Sequence, residues 1–173
     1  MSSEVRDITS KKINANLANL LQKLNSQNFI DNGNWIGCFA PLPDEFAWFD
    51  GDDLGNYKFS LPHLLGANDM CFVPTKLAQI KQGGIGLELD HYDGSSVKPN
   101  LYLIPGLGFS RKFQRLGRGK GYYDKYLADL PSAIKVGICS EEQLLDELPT
   151  DEYDIEMNYI ITDQMIYAKE EPK

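Results

Sequence analysis

Histidine is almost missing from this chain: His63 and His91 are the two present. A histidine-rich metal centre is therefore excluded. Cysteine is scarce too, with Cys38, Cys71 and Cys139 odd in number, far apart and without a C-x-x-C spacing. That argues against a disulfide framework or a cysteine zinc site and for reduced thiols. No run reaches the roughly 18 apolar residues of a membrane helix, and the opening MSSEVRDITSKK lacks the apolar core of a secretory signal. A cytoplasmic location is expected. Positive charge is also in deficit: the formal net charge of −8 speaks against general binding to nucleic acid or an anionic membrane. No repeat, low-complexity tract or linker breaks the sequence. A single domain over residues 1–173, with 167–173 a frayed tail, is the expectation.

The elements follow from periodicity and punctuation. Ile13, Leu17, Leu20, Leu21 and Leu24 recur at helical spacing and predict an amphipathic N-terminal helix, ended near Asp31-Asn-Gly33. Residues 35–40 (WIGCFA), 57–62 (YKFSLP), 69–73 (DMCFV), 101–105 (LYLIP), 135–139 (KVGIC) and 158–163 (NYIITD) read as strands. PLPDE (41–45) is a loop, and FDGDDLGN (49–56) has too many glycines and aspartates for a good helix. Residues 74–99 read as loop with short helix, and 106–114 (GLGFSRKFQ) as a long polar loop. A helix over about 121–130, stopped by Pro131, and a short helix at EEQLLDEL (141–148) complete the set. Alternating strands and helices predict an α/β fold: a Rossmann-like layered sheet, mostly parallel and flanked by helices.

One stretch departs from the acidic background. RLGRGKGYYD (115–124) alternates glycines with Arg115, Arg118 and Lys120 between a strand and a helix. Glycines let successive N–H groups point at one anion, a helix start favours negative charge, and a loop after a parallel strand lies where open α/β sheets bind ligands. The strip matches neither the Walker pattern, since position 114 is Gln and Gly121 follows Lys120, nor G-x-G-x-x-G, since position 122 is Tyr. The residues alone leave a phosphate cradle and a flexible, solvated basic loop both open. An RNA-contacting basic-aromatic loop is a third reading, opposed by the net charge.

With its flanks, PGLGFSRKFQRLGRGKGYYDKYL (105–127) resembles the signature of 5-formyltetrahydrofolate cyclo-ligases, also called methenyltetrahydrofolate synthetases. Ser110 stands where Asp is usual and Phe113 where Gly is usual. Residues 135–163 resemble the family's C-terminal stretch, with Gln143, Pro149 and Asp154 in place, Ser140 replacing Phe and Tyr153 replacing His. PLPDE, KFSLP (58–62) and GGIGLE (83–88) resemble three upstream segments, Leu89 sitting where Pro is usual.

The resemblance implies an enzyme that closes 5-formyltetrahydrofolate to 5,10-methenyltetrahydrofolate with ATP and Mg²⁺, through a phosphorylated formyl intermediate. Carried over by position, Arg115, Gly117, Arg118, Gly119, Lys120, Gly121, Tyr122 and Tyr123 would line ATP. Arg118, Lys120 and Tyr122 would be catalytic. Arg118, Gly119, Lys120, Gly121 and Tyr122 would also meet the folate, together with Ala40 and Glu45, and Asp124 and Asp154 would hold Mg²⁺. Each residue also has an ordinary reading: Asp124 as a first-turn helix charge, Tyr123 as core, Asp154 and Glu45 as solvated carboxylates. The family usually opens with a basic helix, roughly Lys-x-x-x-Arg. Here the equivalent of the following segment starts almost at Met1, so that helix is expected to be missing. A divergent member that binds nucleotide or folate with little or no turnover is the alternative. Partners are expected to be the small-molecule folate and ATP, with no nucleic acid or membrane, in a monomer or homodimer.

Overall fold

The computed structural model describes residues 3–43, 45–49, 54, 57–66, 69–80, 94–149, 151 and 153–170. Helix α1 runs Ser3–Ser26, and the five apolar residues that predicted it are all buried. It stops earlier than the expected Asp31–Gly33. Asn28 takes a left-handed φ of 59°, Phe29 N–H donates to Leu24 O at 2.9 Å and Asn28 N–H to Asn25 O at 3.0 Å. This is a Schellman ending with Asn in the glycine position. Asp31–Gly33 instead forms a separate turn, in which Gly33 N–H donates to Asp31 Oδ1 at 2.6 Å.

Seven strands make the main sheet: β1 (Trp35–Gly37), β2 (Lys58–Leu64), β3 (Met70–Thr75), β4 (Leu101–Pro105), β7 (Ile134–Ile138), β9 (Tyr159–Ile161) and β10 (Ile166–Ala168). Their order is β10-β9-β7-β4-β1-β2-β3. The five central strands are parallel, with Ile36 opposite both Phe59 and Leu101, and Leu103 opposite Val136. Only the edge strands β3 and β10 run antiparallel to their neighbours. The predicted α/β fold with a mostly parallel sheet is thus the observed one.

Strand β4 shows why the sequence reads as continuous apolar rather than alternating. Leu101 and Leu103 pack in the cluster that holds α1, whereas Tyr102 and Ile104 pack in a second cluster with Leu127 of helix α2 (Tyr122–Ala128). Both faces are covered, so both sets of side chains are apolar. Close packing also dictates small residues: a Cβ on Gly37 would stand 2.6 Å from Tyr102 Cδ1 and 2.9 Å from Phe72 Cε1.

Several expectations are corrected. The polar loop 106–114 contains strand β5 (Gly108–Ser110), which pairs antiparallel with β6 (Arg115–Leu116). The short helix expected at 141–148 is a single 3₁₀ turn, Glu141–Gln143, followed by β8 (Leu144–Leu145) parallel to β5. These three strands form a small second sheet in the order β6-β5-β8. Pairing across long separations overrides the weak local signals. The tail expected to fray from 167 begins inside β10, whose partners on β9 reach Ala168. WIGCFA is strand only through Gly37, and helix α2 ends at Ala128. Parts of FDGDDLGN (50–53 and 55–56) and all of 81–93, including GGIGLE and Leu89, lie outside the described residues.

The β5–β6 turn explains two unusual residues. Phe113 adopts a φ of 63°, which is why glycine suits this position. Ser110 Oγ accepts the N–H groups of Lys112 and Gln114, each at 3.3 Å, the task a short polar side chain performs in a turn. A carboxylate network then ties the small sheet to the edge of the large one. Glu141 accepts from Tyr167 at 2.6 Å, Thr162 at 2.7 Å and Arg111 at 3.4 Å.

Two predictions follow from this packing. The Phe109 ring lies flat against Gly137, where a Cβ would stand 2.8 Å from Phe109 Cδ1. Gly137→Ala should cost about 1–3 kcal/mol through overpacking, measured by urea denaturation. Burial works to raise the Glu141 pKa, but the hydrogen bonds from Tyr167 and Thr162 and the Arg111 charge outweigh it, leaving a net depression. A depressed carboxylate contributes stability at neutral pH that is lost as pH falls below the ordinary value of about 4.3. Glu141→Gln should therefore lower the urea midpoint at pH 7, and the difference from wild type should shrink as pH falls below the ordinary carboxylate value and disappear once the depressed carboxylate is itself protonated.

Candidate active site

The sheet topology selects one place for a ligand. From β1 the chain adds β2 and β3 on one side, then returns to lay β4 on the other, so strand order reverses between β1 and β4. Open α/β sheets bind ligands at the carboxyl ends of strands flanking such a switch. A cleft lies there, lined by Phe39 just beyond β1, Pro105 at the end of β4, Ile138 at the end of β7, and Glu45, Phe46 and Gln143.

Helix α1 holds the loop that contributes Glu45. Arg6 donates to Pro43 O, Ser10 Oγ accepts Ala47 N–H at 3.1 Å, and Asn14 Nδ2 donates to Trp48 O at 2.7 Å. Within the loop, Leu42 N–H donates to Glu45 Oε2 at 2.9 Å, which fixes one carboxylate oxygen. Ala40 is half-buried against the core cluster of α1, close in sequence to Phe39 of the cleft.

The glycine-basic strip arrives from the other side. Its anchor is Arg115, buried to 93% at the side chain, whose Nη2 donates to Asp124 Oδ2 at 2.8 Å and whose Nη1 donates to Pro105 O at 3.2 Å. The guanidinium stands 5.7 Å from the centre of the Tyr123 ring. A Cβ on Gly117 would meet Arg115 Nη1 at 2.9 Å, so the strip crosses directly over the buried cation. Arg115 Nε is buried with no hydrogen-bond partner among the described residues. Burial pushes the Tyr123 phenol well above its usual range, with the Arg115 charge acting against that shift, so the ring stays neutral. Tyr122 and Tyr123 both pack against the second core cluster.

Beyond the anchor, Arg118, Gly119, Lys120 and Gly121 are exposed. Gly119 and Gly121 have φ of 84° and 65°, with open space where a Cβ would project. These conformations belong to glycine and leave backbone N–H groups accessible. Helix α2 has seven residues, so its dipole adds little and the cations supply most of the positive field. Arg118 Nη2 reaches across to Glu45 Oε1 at 3.1 Å.

The structure therefore joins Glu45 to Arg118 and Arg115 to Asp124. It also brings the segment of Asp154 beside Asp124, since Ile155 N–H donates to Asp124 Oδ1 at 3.4 Å. Asp154 Oδ2 is occupied by Asp151 N–H at 2.8 Å. Among the described residues no cluster of three or more His, Cys, Asp or Glu gathers. Asp124 and Asp154, on adjoining segments, are the donor type of Mg²⁺, which takes one or two protein carboxylates together with nucleotide phosphates and water. Gln143 was not among the predicted site residues, although the capping pattern Ser140-x-x-Gln143 signals it. Its Oε1 accepts Ser140 N–H at 3.0 Å while its Nε2 donates to Leu107 O at 3.3 Å. Phe39 and Phe46 had no local signal at all.

The sequence model of the 5-formyltetrahydrofolate cyclo-ligase family matches residues 63–163. The chain belongs to that family, one of ATP-dependent ligases in folate and one-carbon metabolism. It is 28% identical to 5-formyltetrahydrofolate cyclo-ligase of Mus musculus over 162 residues, covering 82% of this chain and 79% of that protein. With the cyclo-ligase of Mycoplasma genitalium it shares 34% identity over 130 residues, 73% of this chain and 70% of the relative. The fold matches the 5,10-methenyltetrahydrofolate synthetase structure from Mycoplasma pneumoniae with a TM-score of 0.71, at 24% identity over 94% of this chain and 90% of that one. Among the described residues no helix is long and apolar enough to cross a membrane.

The Arg115–Asp124 pair gives the site a testable weak point. Removing the carboxylate strands a buried guanidinium, which costs about 3–5 kcal/mol for a buried pair. Asp124→Ala should lose stability on that scale in urea denaturation, and the double variant Arg115→Met/Asp124→Ala should recover part of it.

Proposed function

We propose that the protein is an ATP- and Mg²⁺-dependent 5-formyltetrahydrofolate cyclo-ligase, forming 5,10-methenyltetrahydrofolate, ADP and phosphate. One observation carries the reading: the strip proposed for ATP and the loop proposed for folate meet at a single point, Arg118 against Glu45, over the switch-point cleft. A reaction between two bound substrates needs such a meeting point.

The formyl oxygen attacks the γ-phosphorus, and ADP leaves with the bond's electron pair. The nitrogen N10 then attacks the activated carbon, loses its proton, and phosphate departs with the former formyl oxygen. Little covalent work falls to the protein, so positioning and charge stabilisation dominate. Arg118 and Lys120 neutralise the developing phosphoryl charge, and Tyr122 orients the reacting groups. The glycine amides of 117, 119 and 121 cradle phosphate oxygens, with Arg115 and Tyr123 forming the floor beneath them. Glu45 and the Ala40 backbone segment receive the folate beside the strip. Asp124 and Asp154 would hold Mg²⁺, which neutralises nucleotide phosphate charge when bound. We place the protein in the cytoplasm, acting as one domain in a monomer or homodimer.

The test is product absorbance of methenyltetrahydrofolate when protein, ATP, Mg²⁺ and 5-formyltetrahydrofolate are mixed. An ATP-dependent rise is expected, and Arg118→Ala should lower kcat by roughly 10²–10³-fold, the loss typical of one transition-state donor. Tight binding of both ligands without product would instead identify a binding protein.

A further inference from the structure

Asp124 has two partners, one on each oxygen. Arg115 Nη2 donates to Oδ2 at 2.8 Å, and Ile155 N–H donates to Oδ1 at 3.4 Å. A carboxylate offers about four lone-pair positions, so capacity for a further ligand remains. Its charge, however, is already matched. Among the described residues Arg115 pairs with no other carboxylate: its remaining contacts are the Pro105 carbonyl and the Tyr123 ring. With its side chain 7% exposed, the guanidinium can neither turn to another counter-ion nor be shielded by water.

We propose that Arg115, by neutralising Asp124, keeps a free divalent cation from binding here, so that the metal enters only together with nucleotide phosphates. The inference rests on the cyclo-ligase reading, in which Asp124 and Asp154 hold Mg²⁺. Affinity for a divalent cation follows the charge count of its donors, and Mg²⁺ gives up its water reluctantly. Of the two carboxylate charges, the buried cation cancels one. No third carboxylate joins them, since no group of three or more His, Cys, Asp or Glu gathers among the described residues. The exposed Arg118 and Lys120 add further positive charge nearby in the chain. Nucleotide phosphates reverse this balance. They bring oxygen ligands and negative charge to the metal, and they match the cations of the strip. Arg115 is therefore a positioning residue that acts on the metal through Asp124.

The probe is Mn²⁺ standing in for Mg²⁺, followed by water-proton relaxation, which rises when the ion tumbles with the protein. The unaltered protein alone should bind Mn²⁺ with a dissociation constant of about 1 mM or weaker, the weak end for oxygen-ligand sites. An ATP analogue with a β,γ-imido bridge should bring Mn²⁺ onto the protein. Arg115→Gln keeps a donor for Asp124 but removes the charge. Without nucleotide it should bind Mn²⁺ at least about tenfold more tightly than the unaltered protein, because charges this close are only partly screened. Adding Asp124→Asn should abolish that gain, and Arg115→Met carries the same test if the Gln variant does not fold. Tight Mn²⁺ binding by the unaltered protein without nucleotide, or an affinity unchanged in the Arg115 variants, overturns the proposal. Failure of the unaltered protein to bind Mn²⁺ even with the nucleotide analogue overturns the cyclo-ligase reading itself.

Discussion

The buried guanidinium of Arg115 is the contact on which the site depends. It links the end of β4, the first turn of α2 and the underside of the strip, through Pro105 O, Asp124 and the space left by Gly117. A charge this buried is tolerated only with partners of good geometry, and here the carboxylate and carbonyl provide them. The same residue explains a division of labour among three cations within six positions. Arg115 is enclosed and fixes the backbone, whereas Arg118 and Lys120 are exposed and face what approaches. Residue type alone does not distinguish those tasks.

A second constraint is aromatic packing onto glycine. Phe109 rests on Gly137, and Tyr102 and Phe72 close over Gly37. The Phe109 contact locks the small sheet against β7, next to the cleft, whereas the Gly37 contacts hold β1, β3 and β4 of the main sheet together. The Glu141 network fastens its far side to β10. The rim carrying Gln143 is thereby braced from two directions. On the opposite rim, α1 restrains the Glu45 loop through Arg6, Ser10 and Asn14. The glycine strip reaches the Glu45 rim through Arg118.

Much of the frame was legible locally. The α1 stripe, the LYLIP and KVGIC strands and the Tyr122 helix each announce themselves through periodicity or a continuous apolar run. The hairpin at 108–116 and the β8 pairing did not, because two- and three-residue strands carry no period and are formed by distant partners. β10 was hidden for the same reason. Its three residues become strand only because β9 offers an open edge.

The sequence by itself determined the helix α1, the central strands and the chemistry of RLGRGKGYYD, because these reside in neighbouring residues and their spacing. Its motifs from 105 to 127 also carry the likeness to the cyclo-ligase family. Tertiary structure alone decided that strand order reverses between β1 and β4, that Arg115 is enclosed by Pro105 and Asp124, and that Arg118 meets Glu45. Those relations depend on which distant segments close upon each other. Loop closure over dozens of residues leaves no periodic trace along the chain.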